Sequence, residues 1–469
     1  MINIFSYLRN KGYNVVQPPI YSAIEKWRSW YNGDVDKFHT YSVYNGQTKV
    51  ECHRYSLGMA KKVCEDWANL LENEKTLITL DGEAEQVFFN AVCDANNFGV
   101  KISEMQELKS ALGTAAYVPR VMGAEIDAET GEIGGNANGI KIDYITADRI
   151  FPLSWENRVV KECAFASKVT DGDEEYFYIQ IHHIENGTYH IENSLVRAKG
   201  FEEVDLTTVK GFESVPPSID TGSNKPQFVI DRLNIVNNMD YTSPMGIAVY
   251  ANCIDQLKSC DIIFDSYINE FVLGKKRIYV KPEATKNPQG EPYFDPRDVV
   301  FYVIPEDGDP TLLLKESDMS LRVSEHNTGI QDALNILSSK CGFGENYYRY
   351  DNGSVATATQ IISENSTMYK TMVKHEKLLE SVFIELARII LRLGNAYMGA
   401  GLNENVEVTV KFDDSIIIDT EAARAQDRQD VAMGAMSIVE YRMKWYGEDE
   451  QTAMSKLPKM EELVSSGNE

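Results

Sequence analysis

The stretch Gly246-Ile-Ala-Val-Tyr-Ala-Asn-Cys-Ile-Asp-Gln-Leu-Lys-Ser-Cys-Asp-Ile-Ile-Phe-Asp-Ser-Tyr-Ile-Asn-Glu-Phe-Val-Leu273, together with the residues just after it, decides how this chain is read. Tyr250, Ile254, Leu257, Phe264, Ile268 and Phe271 recur at heptad-like spacing and mark one apolar stripe of a helix, broken by Asp261. Gly274 stands where a helix C-cap belongs, and Lys275, Lys276 and Arg277 complement the negative end of the dipole. Six of the 15 prolines then fall between residues 282 and 310, flanked by the strand-like runs Ile278-Tyr-Val280 and Val299-Val-Phe-Tyr-Val-Ile304. So many breakers end the helix and mark a small, turn-rich β module. A second helix is expected at about Thr328 to Lys340. It leads into the glycine- and tyrosine-rich segment Gly342-Phe-Gly-Glu-Asn-Tyr-Tyr-Arg-Tyr-Asp-Asn-Gly353. Thr357-x-x-Gln360 has capping-box spacing and opens a long helix to about Gly394, with Leu379, Val382, Phe383, Leu386, Ile389, Ile390 and Leu393 as its buried stripe. Taken alone, the 246–273 stripe fits a core helix or a seam between copies of the chain.

Working outward, the first 75 residues read as helical. Ser22-x-x-Glu25 has capping-box spacing before Trp27, Trp30 and Tyr31, and Gly33 can end that helix. A second helix is expected from about Arg54 to Asn73 on the apolar repeat Leu57, Ala60, Val63, Cys64, Trp67, Leu70 and Leu71. Residues 75–240 change character: alternating runs such as Tyr176-Phe-Tyr-Ile-Gln-Ile-His182 and Thr188-Tyr-His-Ile-Glu192, separated by Asp-Gly and Asn-Gly turns, predict hairpins in a mixed α+β domain. Toward the C-terminus, Val406, Val408, Val410 and Phe412 alternate as a strand. Helices follow, the last capped by Ser437-x-x-Glu440.

The chain has 469 residues, enough for two to four folding units, and 43% hydrophobic with 25% charged residues is an ordinary globular balance that excludes wholesale disorder. The charge is not ordinary. Lys+Arg number 46 against 71 Asp+Glu, a net −25 that excludes tight binding of nucleic acid by a broad basic surface, where phosphate neutralisation supplies the affinity. No apolar run reaches membrane-spanning length, and the N-terminus lacks a signal-peptide pattern, so a soluble intracellular protein is expected. Seven scattered cysteines (52, 64, 93, 163, 253, 260 and 341) form no CxxC pair, which points to reduced, partly buried thiols.

Catalytic patterns do not emerge. There is no GxxxxGK[ST], no Gly-x-Ser-x-Gly and no HExxH. Thr130-Gly-Glu-Ile-Gly-Gly-Asn-Ala-Asn-Gly139 reads as a hairpin tip, because no helix follows to offer its N-terminus to phosphate. His182 and His183, adjacent on a strand, point to opposite faces, and without a cysteine or carboxylate at ligand spacing no metal site is expected there with His190. Asp413, Asp414, Asp419 and Glu421 could hold Mg²⁺, but read more simply as a solvated turn before a helix start. No cofactor, metal or catalytic residue is assigned. The segment 342–353 stands apart, since Tyr347, Tyr348, Arg349 and Tyr350 lie among glycines. Aromatics with arginine can stack on bases or lean on phosphates, or can pack the loop on itself.

In this order the chain resembles the portal (head–tail connector) proteins of tailed bacteriophages, in the siphophage branch of Gram-positive hosts. The matching stretches are Trp27-Arg-Ser-Trp-Tyr-Asn-Gly33, Leu57-Gly-Met-Ala-Lys-Lys-Val-Cys-Glu-Asp-Trp-Ala-Asn-Leu-Leu71, Tyr144-Ile-Thr-Ala-Asp-Arg-Ile-Phe-Pro-Leu153, Ser243-Pro-Met-Gly-Ile-Ala-Val-Tyr-Ala251, Asp261 through Val280, and Val355-Ala-Thr-Ala-Thr-Gln-Ile361. The likeness runs through most of the chain, and its specificity lies in order and spacing rather than in any one motif.

The resemblance implies a non-enzymatic ring of about twelve subunits at one capsid vertex, with double-stranded DNA passing through its axis. By the same resemblance, residues 1–245 are the wing, 246–273 and 327–341 the stem helices, 274–326 the clip, 342–356 the tunnel loop, 357–404 the long wing helix and 405–469 the crown. It further implies that Tyr347, Tyr348, Arg349 and Tyr350 lie nearest DNA. Asp255, Lys258, Asp261 and Asp265 belong to the channel helix, and Pro288, Glu291, Tyr293 and Asp295 to the clip surface for partners. Implied partners are the large and small terminase subunits, a head–tail adaptor, the scaffold and the major capsid protein, with no membrane. The implied location is the virion, reached through assembly in the host cytoplasm. Two other readings remain on the residues alone: an acidic scaffold without a channel, and a metal-dependent hydrolase using the carboxylates of 413–421.

Overall fold

The computed structural model describes residues 2–13, 15, 18–44, 46–72, 76–123, 137–213, 215–274, 277–280, 301–303, 314–317, 320–349, 358–412 and 420–457. It divides into a larger unit, Met1–Gly353 with Lys370–Phe412, and a smaller one, Ser354–Tyr369 with Asp413–Glu469. Helices and antiparallel sheets are mixed throughout, the α+β class expected.

The larger unit opens with α1 (Ile2–Asn10) and α2 (Pro18–Tyr31). Helix α2 starts a turn before the Ser22 box, because Pro18 and Pro19 bring a preset φ and lose no helical hydrogen bond in a first turn. Gly33, at φ 69°, takes the chain out of it. The expected all-helical start is then interrupted by an antiparallel ribbon, β1 (Thr40–Tyr44) and β2 (Lys49–His53). The next helix, α3 (Met59–Leu71), begins later than Arg54, since the Tyr55 and Leu57 N–H groups donate to side chains elsewhere. The predicted stripe is buried from Ala60 to Leu71, Val63, Cys64 and Trp67 completely, while Leu57 lies before the helix and is only half-buried.

Strand β3 (Leu77–Leu80) precedes α4 (Glu83–Ala95) and α5 (Phe98–Leu112). Next come β4 (Thr114–Met122) and β5 (Gly139–Thr146), a hairpin joined through the glycine-rich stretch. A meander follows: β6 (Ile150–Glu156), β7 (Val159–Asp171), β8 (Glu174–Glu185) and β9 (Thr188–Arg197), with β10 (Glu203–Val204) and β11 (Ser218–Asp220) both pairing β9. Asn186 and Gly187, at φ 51° and 92°, make the two-residue β8–β9 turn, the type whose twist matches paired strands. Strand β12 (Val229–Arg232) adds to β4, giving the order β12-β4-β5.

Beneath that sheet lies a fully buried polar knot. Lys109 of α5 donates to Asp231 at 3.0 and 3.2 Å, and Gln106 Nε2 and the Tyr117 hydroxyl donate to the same carboxylate at 2.9 and 3.0 Å. A lone buried ammonium would be prohibitive; with three donors on one carboxylate the pair is satisfied.

Residues 246–253, expected as the start of the stem helix, are not helical. Gly246 N–H donates to Thr114 Oγ1 at 2.9 Å and Val249 N–H to Ser110 O at 2.9 Å, so the donors a helix would use are spent on α5 and β4. A Cβ on Gly246 would stand 2.1 Å from Gly113 O, a backbone approach that only glycine permits. Helix α6 therefore runs Ile254–Leu273. Between it and α7 (Val323–Lys340) sits a three-stranded sheet of β13 (Arg277–Val280), β14 (Phe301–Val303) and β15 (Leu314–Ser317), ordered β14-β13-β15, with β14 parallel and β15 antiparallel to β13. The long α8 (Ala358–Met398) buries Leu379, Val382, Phe383, Leu386, Ile389, Ile390 and Leu393, the predicted stripe. Strand β16 (Val408–Lys411) pairs β3, so the strand expected to open the crown belongs to the larger unit. In the smaller unit, α9 (Thr420–Met433) and α10 (Ile438–Tyr446) are followed by one more short helix, α11 (Glu450–Ser455). Ser437 and Glu440 form the predicted capping box at α10.

Candidate functional site

The two helices that flank the β module, and the loop after the second of them, form the candidate site. On the first turn of α6, Asp255 is 84% exposed and accepts from Lys258 Nζ at 2.9 Å; that ammonium holds its carboxyl below the usual range. Both side chains are open to solvent.

Asp261 and Asp265, expected beside them as channel-helix carboxylates, are instead buried. Asp261 accepts from Leu57 N–H at 2.7 Å, Ser56 Oγ at 3.2 Å and His39 Nε2 at 3.0 Å. The His39 tautomer is fixed: its Nδ1 accepts from Val35 N–H at 2.8 Å, so Nε2 carries the proton given to Asp261. Asp265 accepts from Tyr55 N–H at 3.0 Å. Their burial has a physical cause. A carboxylate that breaks an apolar stripe every fourth residue can be buried if backbone donors meet it, and residues 55–57 supply those donors.

At the other end of α6, Glu270 accepts from Arg322 through the backbone N–H at 3.0 Å, Nε at 3.1 Å and Nη2 at 3.3 Å, and contacts His326 Nε2. The Arg322 hydrogen bonds draw its carboxyl down to about 2. This clasp ties the two helices where the β module leaves them. It went unread in the sequence, because nothing local marks Glu270 and Arg322 as neighbours.

The loop after α7 packs on itself. Tyr347 stacks on Phe343 at 4.4 Å, Phe343 on Trp67 at 4.7 Å, and Trp67 meets His375 edge-on at 5.2 Å. Trp67 Nε1 donates to Cys341 O at 3.0 Å and Ser338 Oγ to Gly344 O at 2.6 Å. Tyr348 stands edge-on to both Phe343 and Tyr347, and burial raises its hydroxyl pKa; Tyr347 keeps an edge outside. Arg349 is exposed and donates to Asn346 O at 3.1 Å. Of the four loop residues predicted to approach DNA, Tyr347 and Arg349 reach the surface and Tyr348 is mostly covered. Tyr350 lies outside the described residues, as do Pro288, Glu291, Tyr293 and Asp295 of the β module.

Elsewhere, His182 is buried between Phe165 and Phe228 and burial pushes its pKa down to about 3, while His183 stacks on His190. Among the described residues no three His, Cys, Asp or Glu side chains gather as a metal site, and no helix is long and apolar enough to cross a membrane. Asp413, Asp414 and Asp419 lie outside the described residues, and nothing is described of the Glu421 side chain.

No curated protein matches the chain. Among solved structures it is similar to a chain from the neck of a native GTA particle computed with C12 symmetry, at 10% identity and a TM-score of 0.45, over 92% of this chain and 94% of that one. The family model described as phage portal protein, SPP1 Gp6-like, matches residues 17–462, nearly the full sequence, and the chain accordingly belongs to that family of phage head–tail connectors.

Proposed function

We propose that this portal protein closes into a ring of about twelve copies at one capsid vertex and passes double-stranded DNA along its axis. The family is structural and not enzymatic, and its members are virion components of the head–tail junction. The observation that carries the channel reading is the pairing of α6 with α7 around an inserted β sheet, their ends tied by Glu270 and Arg322. Such a hairpin of helices gives each copy a wall segment and projects the β module beyond it.

In this reading Asp255 and Lys258 face the passage, with Arg349 and the Tyr347 edge as the loop's contribution and Tyr350 beside them. Pro288, Glu291, Tyr293 and Asp295 belong to the surface that takes the terminase motor during packaging and the head–tail adaptor afterwards. The chain's lack of a P-loop puts the energy source in the motor. Scaffold and major capsid protein surround the ring during assembly in the host cytoplasm.

Negative-stain electron microscopy with mass photometry tests the reading. Rings with a central hole and a mass near twelve subunits are expected. A closed dimer without a hole at every concentration would overturn it in favour of an acidic scaffold.

A further inference from the structure

The β1–β2 ribbon divides its faces as a sheet laid on a core does. The register sets Tyr41 opposite Cys52 and Val43 opposite Val50 on one face, while Thr40, Ser42 and Tyr44 share the other with His53, Glu51 and Lys49. Yet toward the tip no described residue lies under the apolar face. Val43 is 47% and Val50 42% exposed, and apart from a single bridge from Thr40 to Asp36 the two strands pair only with each other among the described residues. A two-stranded ribbon by itself is marginal in water.

Its root, by contrast, is fixed. Asp261 and Asp265 of α6 grip His39, Ser56, Leu57 and Tyr55 on both sides of it. Arg54 N–H donates to His39 O at 2.7 Å, and its guanidinium lies over Phe38 and Tyr41 at 4.3 and 4.8 Å. Two buried carboxylates thus hold a ribbon whose tip extends about 17 Å, at about 3.4 Å per residue.

We propose that this ribbon is an arm that lays its Tyr41–Val43–Val50–Cys52 face on the adjacent copy of this chain. The proposal rests on the ring reading above. Three observations choose a second copy as the occupant. A closed ring needs a head-to-tail interface between unlike patches, and each copy offers this patch once, its Val43–Val50 end uncovered by any described residue of the same chain. The root is gripped by α6 through Asp261, and Ile262 beside it in sequence is itself 49% exposed, a second uncovered apolar residue on the element that holds the ribbon. The charge is complementary as well: Lys49 and Arg54 outnumber Glu51 on residues 40–54, whereas the remaining residues hold 44 Lys+Arg against 70 Asp+Glu. One excess charge is too little to grip nucleic acid.

The full-length chain with Val43→Asp and Val50→Asp tests this by mass photometry beside the unaltered protein. Both sites are exposed in the single chain, so circular dichroism and melting of the monomer should hold while the concentration for half assembly rises about tenfold or more. A second measurement needs no substitution: iodoacetamide labelling read peptide by peptide. Cys52 should label in monomers and at least about tenfold more slowly in rings. Rings in both proteins at one concentration, or equal Cys52 labelling in ring and monomer, would overturn the arm and hand the face to another virion protein. An unaltered chain that never forms rings would instead remove the ring reading, and the arm with it.

Discussion

Asp261 illustrates how one carboxylate can be read two ways. On the helix alone it interrupts an apolar stripe and looks like a polar channel lining; in the fold it is where α6 takes hold of residues 39 and 56–57. Removing it leaves His39 and the Leu57 N–H buried without an acceptor. Asp261→Ala should therefore cost about 2–4 kcal/mol, at roughly 1–3 kcal/mol for each orphaned donor, while Asp255→Ala, at an exposed pair, should stay within about 0.5 kcal/mol. Thermal melting of the two variants decides it: equal, small shifts would place Asp261 in solvent after all. Burial also sets a pH response. His182 and His375 are held neutral, both down to about 3 against an ordinary 6.5, chiefly by desolvation. The unfolded chain therefore binds more protons between those values, and stability falls as pH drops from 6.5 toward 3, by up to about 1.4 kcal/mol per unit for each histidine. Glu72 works in the opposite direction. Burial raises its carboxyl to about 8, so stability falls as pH rises from 4.5 to 8. His182→Phe should flatten the acid limb of melting temperature against pH and Glu72→Gln the rise-side limb; an unchanged profile in either variant would mean that the group is hydrated in the fold.

At the scale of elements, the α6–α7 pair is held near the β module by Glu270 rather than by apolar packing alone, since Phe271 and Val272 remain substantially exposed. Glu270→Ala should leave helix content intact but loosen the last turn of α6 and the first of α7, with amide hydrogen exchange there faster by roughly tenfold and elsewhere unchanged. Exchange at the native rate would show that the helices need no clasp. The same elements show what the sequence made legible. Periodic stripes in α3 and α8, the Asn186-Gly187 turn and the Ser437 box follow from local chemistry, and each was readable in place. The failures share one cause. Residues 246–253 have a helical stripe but spend their N–H groups on Thr114 and Ser110, and the ribbon at 40–53 sits between helices that dominate the local pattern. The buried fates of Asp261 and Tyr348 likewise depend on partners far along the chain, Leu57 in one case and the Trp67–Phe343 stack in the other. Spacing alone cannot show where a distant donor will stand.

For the whole molecule, net charge is the property that bears most directly on DNA movement. A ring of about twelve copies at −25 each would carry roughly −300, a field that disfavours adhesion of a polyanion bearing one charge per 1.7 Å or so of its axis. On the proposed function, passage in two directions requires shallow wells, and isolated cations such as Lys258, already paired with Asp255, would make contacts without anchoring. Asp255→Lys breaks that arrangement at an exposed site without touching the buried grip of Asp261. Each substitution changes the local charge by two and, repeated around a ring, builds a cationic collar able to neutralise phosphates and release counterions. Packaging should then slow or stall at about 50 mM salt and recover toward the unaltered rate near 200 mM, because counterion release weakens steeply over that range. The recovery matters as much as the loss, since a ring merely damaged by the substitution would stay slow at both salts. Native packaging rates at low salt would mean that the α6 entry does not face DNA, and would move the channel wall to another face of the stem.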